Sequence, residues 1–124
     1  MSFDMYREQI LDLYKNPLNK GTLAHATHEH EKNNPLCGDH VKIQLVVREG
    51  VIHDVKFDGA GCVISMASAS LITEKIKHMP VSEVELLTKD DVLALLSVEL
   101  SPPRLKCALL SLDVLKGSLN HASD

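Results

Sequence analysis

The sequence predicts an α+β fold, a small antiparallel sheet of about three strands with helices packed on one face. Three observations predict it. Apolar residues alternate from Val41 to Val47 and resume at Val51, Val55 and Phe57, on either side of Arg48-Glu49-Gly50, which reads as a β-hairpin. The segments flanking that hairpin carry apolar residues at helical spacing instead. No repeat, long linker or second compositional regime interrupts the 124 residues, so residues 1–124 are expected to form one domain.

The elements follow in order. Asp4 to Tyr14 places Met5, Ile10, Leu13 and Tyr14 near one helical face, and Asn16-Pro17 stops that helix. Asn19-Lys20-Gly21 reads as a turn. Between His25 and Lys32 the alternation of Thr27, Glu29 and Glu31 allows a third strand, polar and therefore at the sheet edge. After the hairpin, Gly59-Ala60-Gly61 releases the chain into a helix from about Cys62 to His78, with Ile64, Ala67, Leu71 and Ile72 as its apolar stripe. The small residues Ser65, Ala67, Ser68, Ala69 and Ser70 would let that helix approach the sheet closely. Two short helices are expected next, capped by Ser82 and Thr88, the second carrying Val92, Leu93, Leu95 and Leu96. Pro102-Pro103 would hold an extended stretch, and a last helix from about Lys106 to Asn120 would bury Ala108, Leu112, Leu115 and Leu119.

Composition narrows the function. The chain is 44% hydrophobic and 24% charged, but only 3% aromatic, so its core must be aliphatic and little is left for stacking on bases. A domain of this length buries about two-thirds of its unfolded surface and needs no disulfides to fold. With 13 Lys and Arg against 17 Asp and Glu, the formal charge is -4 and no basic run is present, which argues against nucleic acid as a partner. No apolar run approaches the ~20 residues of a membrane helix. The charged start Met1-Ser2-Phe3-Asp4-Met5-Tyr6-Arg7-Glu8 does not read as a secretory signal, so a reducing, cytoplasmic setting is expected for the three cysteines.

Those cysteines carry the chemistry. They stand in Asn34-Pro35-Leu36-Cys37-Gly38-Asp39, Gly59-Ala60-Gly61-Cys62 and Pro102-Pro103-Arg104-Leu105-Lys106-Cys107, each beside residues that fix or free the backbone. A buried structural cysteine would more often lie mid-element among apolar neighbours. Three soft donors plus the Asp39 carboxylate make a metal or cluster site, and the absence of any C-x-x-C pair excludes a zinc-finger spacing. Cys62 and Cys107 are expected at helix N-termini, where unpaired N–H groups and the macrodipole favour a thiolate, and Cys37 in a looser loop. Lys106 is either a cation that stabilises a thiolate or persulfide beside Cys107, or a solvated lysine at a helix start. His25, His28 and His30 read as an exposed tract. His40 faces away from Asp39 if the strand has begun there, and is a spare ligand if it has not.

Together with Tyr14-Lys15-Asn16-Pro17-Leu18-Asn19-Lys20-Gly21 and Phe57-Asp58-Gly59-Ala60-Gly61-Cys62-Val63-Ile64-Ser65-Met66-Ala67-Ser68-Ala69-Ser70, these motifs resemble the IscU/SufU (NifU N-terminal-like) iron–sulfur cluster assembly proteins over nearly the whole chain. The resemblance implies that Cys37, Asp39, Cys62 and Cys107 hold a transient [2Fe-2S] cluster or Zn²⁺. It also implies that a cysteine desulfurase donates sulfur and that apo iron–sulfur proteins or carrier proteins receive the product. Lys106 stands where the IscU branch has histidine, as in the SufU branch, while the run from Thr88 to Leu105 is short for the extra segment of the SufU branch. Ser101-Pro102-Pro103-Arg104-Leu105 departs from the tract that the IscU branch offers to its Hsp70-type chaperone, which weighs against that partner. Three roles follow: a cluster scaffold, a zinc-dependent sulfurtransferase, or a structural zinc module. Cys107 or Cys37 is the expected sulfur acceptor, with Cys62 too confined to serve.

Overall fold

A computed structural model of the chain describes residues 2–34 and 38–120. Helix α1, Ser2–Lys15, buries Ile10 and Leu13 and leaves Leu11 and Tyr14 exposed, so the apolar face is narrower than the spacing implied; the Met5 side chain lies outside the described ones. Strands β1 (His28–Asn34), β2 (Asp39–Arg48) and β3 (Val51–Ala60) form one antiparallel sheet in the order β1-β2-β3. Glu49 and Gly50 join β2 to β3 with φ of 53° and 75°, the left-handed pair that a two-residue hairpin turn requires. Val41, Ile43 and Leu45 of β2 pair with Gly59, Phe57 and Val55 of β3, which puts one buried row of side chains beneath the helices.

The polar third strand runs from His28 to Asn34, starting three residues and ending two residues later than the His25–Lys32 expectation. It lies at the edge as expected, pairing in register from His28 opposite Leu45 to Asn34 opposite Asp39. The other edge, β3, is covered by two loop segments: Gly21 N–H donates to the Phe57 carbonyl at 2.9 Å, and Ile52 N–H to the Met79 carbonyl at 2.9 Å. Covering an edge in this way removes a template for unwanted strand pairing.

Helix α2, Val63–Ile76, is buried without a break from Ile64 to Ser70, because α1, α5 and the sheet surround it. Its serines meet α5 and the chain at Leu18 more than the sheet: Ser68 Oγ donates to the Ala108 carbonyl at 2.6 Å, and Ser70 Oγ accepts the Leu18 N–H at 3.1 Å. That corrects the expected partner of the small-residue stripe. The short α3, Val81–Val84, is capped by Pro80 and not by Ser82, whereas α4, Lys89–Leu96, starts as expected at Thr88 with a reciprocal capping box to Asp91.

The largest correction concerns the last helix. α5 spans Pro102–Ser118, so the prolines open the helix at its first two positions and do not hold an extended stretch. Proline's fixed φ suits the first turn, where its missing N–H would have had no partner. Ser101 supplies the extended residue (φ -67°, ψ 158°), and Leu105 N–H closes the first turn onto its carbonyl at 2.9 Å. Cys107, Ala108, Leu110, Ser111, Leu112, Val114, Leu115 and Ser118 are buried. The core these elements enclose is aliphatic, with Phe57 its largest fully buried side chain.

Candidate metal centre

Three of the four expected ligands converge. Asp39 is the first residue of β2 and 3% exposed, Cys62 is the exposed N-cap of α2, and Cys107 lies in the second turn of α5 at 6% exposed. One donor atom from each lies within 4.8 Å of the others, and among the described residues this is the group of His, Cys, Asp and Glu side chains close enough to share an ion. Cys37 lies outside the described residues; its position two residues before Asp39 in the chain is what bears on the site. Donors at ordinary zinc–sulfur and zinc–oxygen distances around a tetrahedral ion stand about 3.3–3.8 Å apart, so closure onto one needs at most about 1.5 Å of side-chain adjustment. Two free thiols and a carboxylate suit zinc or iron by donor type.

Glycines make this convergence possible. Gly59 has φ 141°, and a Cβ there would collide with the His40 carbonyl oxygen of the neighbouring strand. At Gly61 a Cβ would lie 2.8 Å from both Cγ and Oδ1 of Asp39. The bare backbone at 61 lets the carboxylate lie against the start of α2, where Cys62 N–H donates to Asp39 Oδ1 at 3.1 Å.

Ser65 completes the arrangement. Its hydroxyl makes a short hydrogen bond to Asp39 Oδ2 and lies 3.2 Å from the Cys107 carbonyl, while its N–H donates to Cys62 Sγ at 3.4 Å. An N-cap side chain characteristically accepts the N–H of the third helical residue. That Cys-x-x-Ser spacing at a predicted helix start is the signal that would have found Ser65, which the sequence reading treated only as a small packing residue. The expected placement at a helix N-terminus holds for Cys62. It fails for Cys107, because α5 begins five residues before that sulfur.

Beside the thiols opens a groove of about 660 Å³, walled by Tyr14, Val63, Pro102 and Pro103 and reaching both Cys62 and Cys107. Lys106 and Arg104 are exposed and line it, so Lys106 shares the groove with the Cys107 sulfur. The described histidines stay apart from the site. His40 faces away from Asp39, with Nδ1 2.6 Å from Asn33 Oδ1 and Nε2 3.2 Å from Glu31. His28 Nδ1 is 2.9 Å from Thr27 Oγ1, and the His30 ring packs where a side chain on Gly117 would stand. His25 is exposed as expected, whereas His28 and His30 are half-buried, which corrects the reading of an exposed tract for those two.

An α+β domain that gathers thiols and a carboxylate at the meeting point of a strand start, a helix cap and a second helix defines a metal or cluster-handling class. The chain belongs to the NifU-like N-terminal domain family, whose model matches residues 5–122. It is 37% identical to the zinc-dependent sulfurtransferase SufU of Bacillus subtilis, over 86% of this chain and 84% of that protein. It is 36% identical to the iron–sulfur cluster assembly scaffold protein IscU of Thermotoga maritima, over 96% of this chain and 95% of that one. The crystal structure of FiSufU from Fervidobacterium islandicum superposes with a TM-score of 0.78 at 28% identity, covering 89% of this chain and 93% of that one. The two kinds of relative match at nearly equal identity, so overall similarity does not choose between them.

Proposed function

We propose that this chain, residues 1–124 taken as one domain, is an iron–sulfur cluster assembly scaffold. It receives sulfur from a cysteine desulfurase, builds a [2Fe-2S] cluster as its cargo and passes that cluster to apo iron–sulfur proteins or carriers in the cytoplasm. The observation that supports it most is the convergence of Asp39, Cys62 and Cys107 beside an open groove. With Cys37 as a fourth ligand, each iron of the cluster would have two protein donors, one of them the harder Asp39 carboxylate. A scaffold must release what it binds, and a carboxylate among thiolates weakens the hold on one iron. Sulfur arrives when an acceptor thiolate attacks the outer sulfur of the desulfurase persulfide: a new S–S bond forms on the acceptor, and the desulfurase leaves as its thiolate.

The acceptor is Cys107 or Cys37, with Lys106 as the cation lining the groove beside Cys107. The reason given for excluding Cys62 changes, since Cys62 is exposed and Cys107 is buried. Confinement therefore does not exclude Cys62, and the case for Cys107 rests on Lys106, its chain neighbour, which lines the same groove. Each persulfide sulfur must gain two electrons to become cluster sulfide, so anaerobic incubation with ferrous iron, cysteine, a desulfurase and a dithiol reductant, which is oxidised to its disulfide, tests the scaffold role. The expected product shows visible sulfur-to-iron charge-transfer absorption and retains iron and sulfide in equal amounts after desalting; protein that retains neither is not a scaffold.

A second reading is favoured by Lys106 and by the SufU relative: a zinc-dependent sulfurtransferase with Zn²⁺ held by Cys37, Asp39, Cys62 and Cys107. Bound zinc would organise the thiols and set which one is free to take sulfur. It predicts zinc retained through purification and desulfurase turnover stimulated without cluster formation. A purely structural zinc module is disfavoured by the continuous aliphatic core, which gives the domain its own reason to fold. The altered Ser101-Pro102-Pro103-Arg104-Leu105 tract weighs against an Hsp70-type chaperone as partner.

A further inference from the structure

We propose that Ser65 is a positioning residue that sets Asp39 as a ligand, an inference that rests on reading Asp39, Cys62 and Cys107 as the donor set. Ser65 is the third residue of α2 and fully buried, with 0% exposure. It touches every described member of that set: its N–H reaches Cys62 Sγ at 3.4 Å, and its Oγ reaches Asp39 Oδ2 and the Cys107 carbonyl.

A hydroxyl has one hydrogen to donate, and a carboxylate is a stronger acceptor than a peptide carbonyl. The proton therefore goes to Asp39 Oδ2, and the carbonyl at 3.2 Å takes the weaker share. Cys62 N–H holds the other oxygen, Oδ1, at 3.1 Å. The Asp39 carboxylate is thus gripped at both oxygens by the first turn of the helix that Cys62 caps. A carboxylate oxygen that accepts a hydrogen bond can still ligate a metal, and the two donors restrict the direction in which it does so. Hydrogen bonds of this kind orient ligating carboxylates, and removing them costs about 10–100-fold in metal affinity.

The test uses the reduced, metal-free full chain titrated with Co²⁺ at fixed pH, in wild type, Ser65→Ala, Asp39→Ala and the double variant, with circular dichroism and melting of each metal-free protein as the folding control. Wild type is expected to show thiolate-to-cobalt charge transfer. Ser65→Ala should bind Co²⁺ about 10–100-fold more weakly, with its d–d bands shifted toward those of Asp39→Ala. Adding Ser65→Ala to Asp39→Ala should change affinity by less than about twofold, because both changes remove one interaction. Ser65→Thr keeps the hydroxyl and is expected to retain most of the affinity. Wild-type affinity and spectrum in Ser65→Ala would overturn the proposal, as would an equal loss in both backgrounds, or a folded Ser65→Thr that binds as poorly as Ser65→Ala. A wild-type chain without charge transfer would sink the donor set itself, and the proposal with it.

Discussion

Replacing Gly61 with alanine should uncouple metal binding from folding. The φ of Gly61 lies outside the left-handed region, so the backbone accepts a side chain there without strain. The added methyl would stand 2.8 Å from Asp39 Cγ and Oδ1, about 0.6 Å short of the 3.4 Å at which ordinary contact begins. The carboxylate must yield by that amount. Closure onto an ion already needs up to about 1.5 Å of side-chain adjustment, and bound distances tolerate only about 0.2 Å, so a methyl that crowds the carboxylate from the side of residue 61 restricts the adjustment that brings Asp39 to the two sulfurs. The Cys62 N–H bond to Oδ1, already 3.1 Å long, would stretch past hydrogen-bonding range. We expect zinc affinity to fall about 10–100-fold, or about 1.4–2.7 kcal/mol. Stability of the metal-free protein should move little, since the lost hydrogen bond costs about 1 kcal/mol and alanine's smaller unfolded-state entropy returns about 0.4–1 kcal/mol. Competition against a chromophoric chelator reads the first quantity, and urea unfolding of metal-free protein the second. Gly61→Ala that binds zinc within about twofold of wild type would refute the reasoning, because it would show that Asp39 need not lie against residue 61 to serve as a ligand.

Four further outcomes are expected. Gly59→Ala should act in the opposite way, lowering stability by about 3 kcal/mol or more in urea unfolding, because its methyl meets the fixed backbone of β2 and its φ is 141°. Among the described residues the fully buried Ser111 hydroxyl has no hydrogen-bond partner, so Ser111→Ala should leave stability unchanged or raise it by up to about 1 kcal/mol; a loss of that size would mean the hydroxyl has a partner. Alkylation of reduced metal-free protein, followed by peptide mass analysis, should label Cys62 well before Cys107, and equal rates would contradict the burial difference. The N–H and hydroxyl of Thr88 hold the Asp91 carboxyl below its ordinary value of 3.8. Its stabilising effect is therefore complete above that value and is lost as pH falls through the lower folded one. Urea midpoints of Asp91→Asn and wild type should differ near neutrality and draw together as pH falls below 3.8 through the lower folded value, whereas a gap that persists undiminished in acid would exclude this origin.

Most of the fold could be read from periodicity, and its failures have identifiable causes. The hairpin was legible because Val41, Ile43 and Leu45 alternate and Glu49-Gly50 suits the turn. The start of α5 was not, because Pro102-Pro103 is compatible both with an extended stretch and with the first turn of a helix. What decides is tertiary: starting at Pro102 brings Cys107, Ala108 and Ser111 onto the face that meets α2. The same ambiguity moved Cys107 from a helix end into its second turn. Periodicity also showed that one face of α2 is small without saying what would meet it, and the answer is α5 through Ser65 and Ser68. β1 shows why polar strands are hard to place. Its side chains do not build the core, and it is held by ladder hydrogen bonds to β2 and by rim contacts such as Lys32 to Asp113 at 3.9 Å. The donor set was legible because each motif carries its own glycine or proline. Ser65 was missed because a serine among small residues carries no signal until Cys62 is known to be the cap.

The hydrogen bonds around Asp39 bear on whether such a site can give up what it holds. A buried carboxylate with no partner is costly, and a site built that way would resist losing its metal. Here both oxygens of Asp39 already have donors, the Cys62 N–H and the Ser65 hydroxyl, before any metal is bound. Cys62 is exposed to water and its sulfur accepts the Ser65 N–H. Losing an ion therefore strands neither the carboxylate nor that sulfur, and the aliphatic core beneath them owes nothing to the ion. These standing partners lower the cost of release while the second-turn position of Cys107 and the cap position of Cys62 keep the donors gathered for reloading. This combination suits a chain whose work is to assemble a cluster and hand it on.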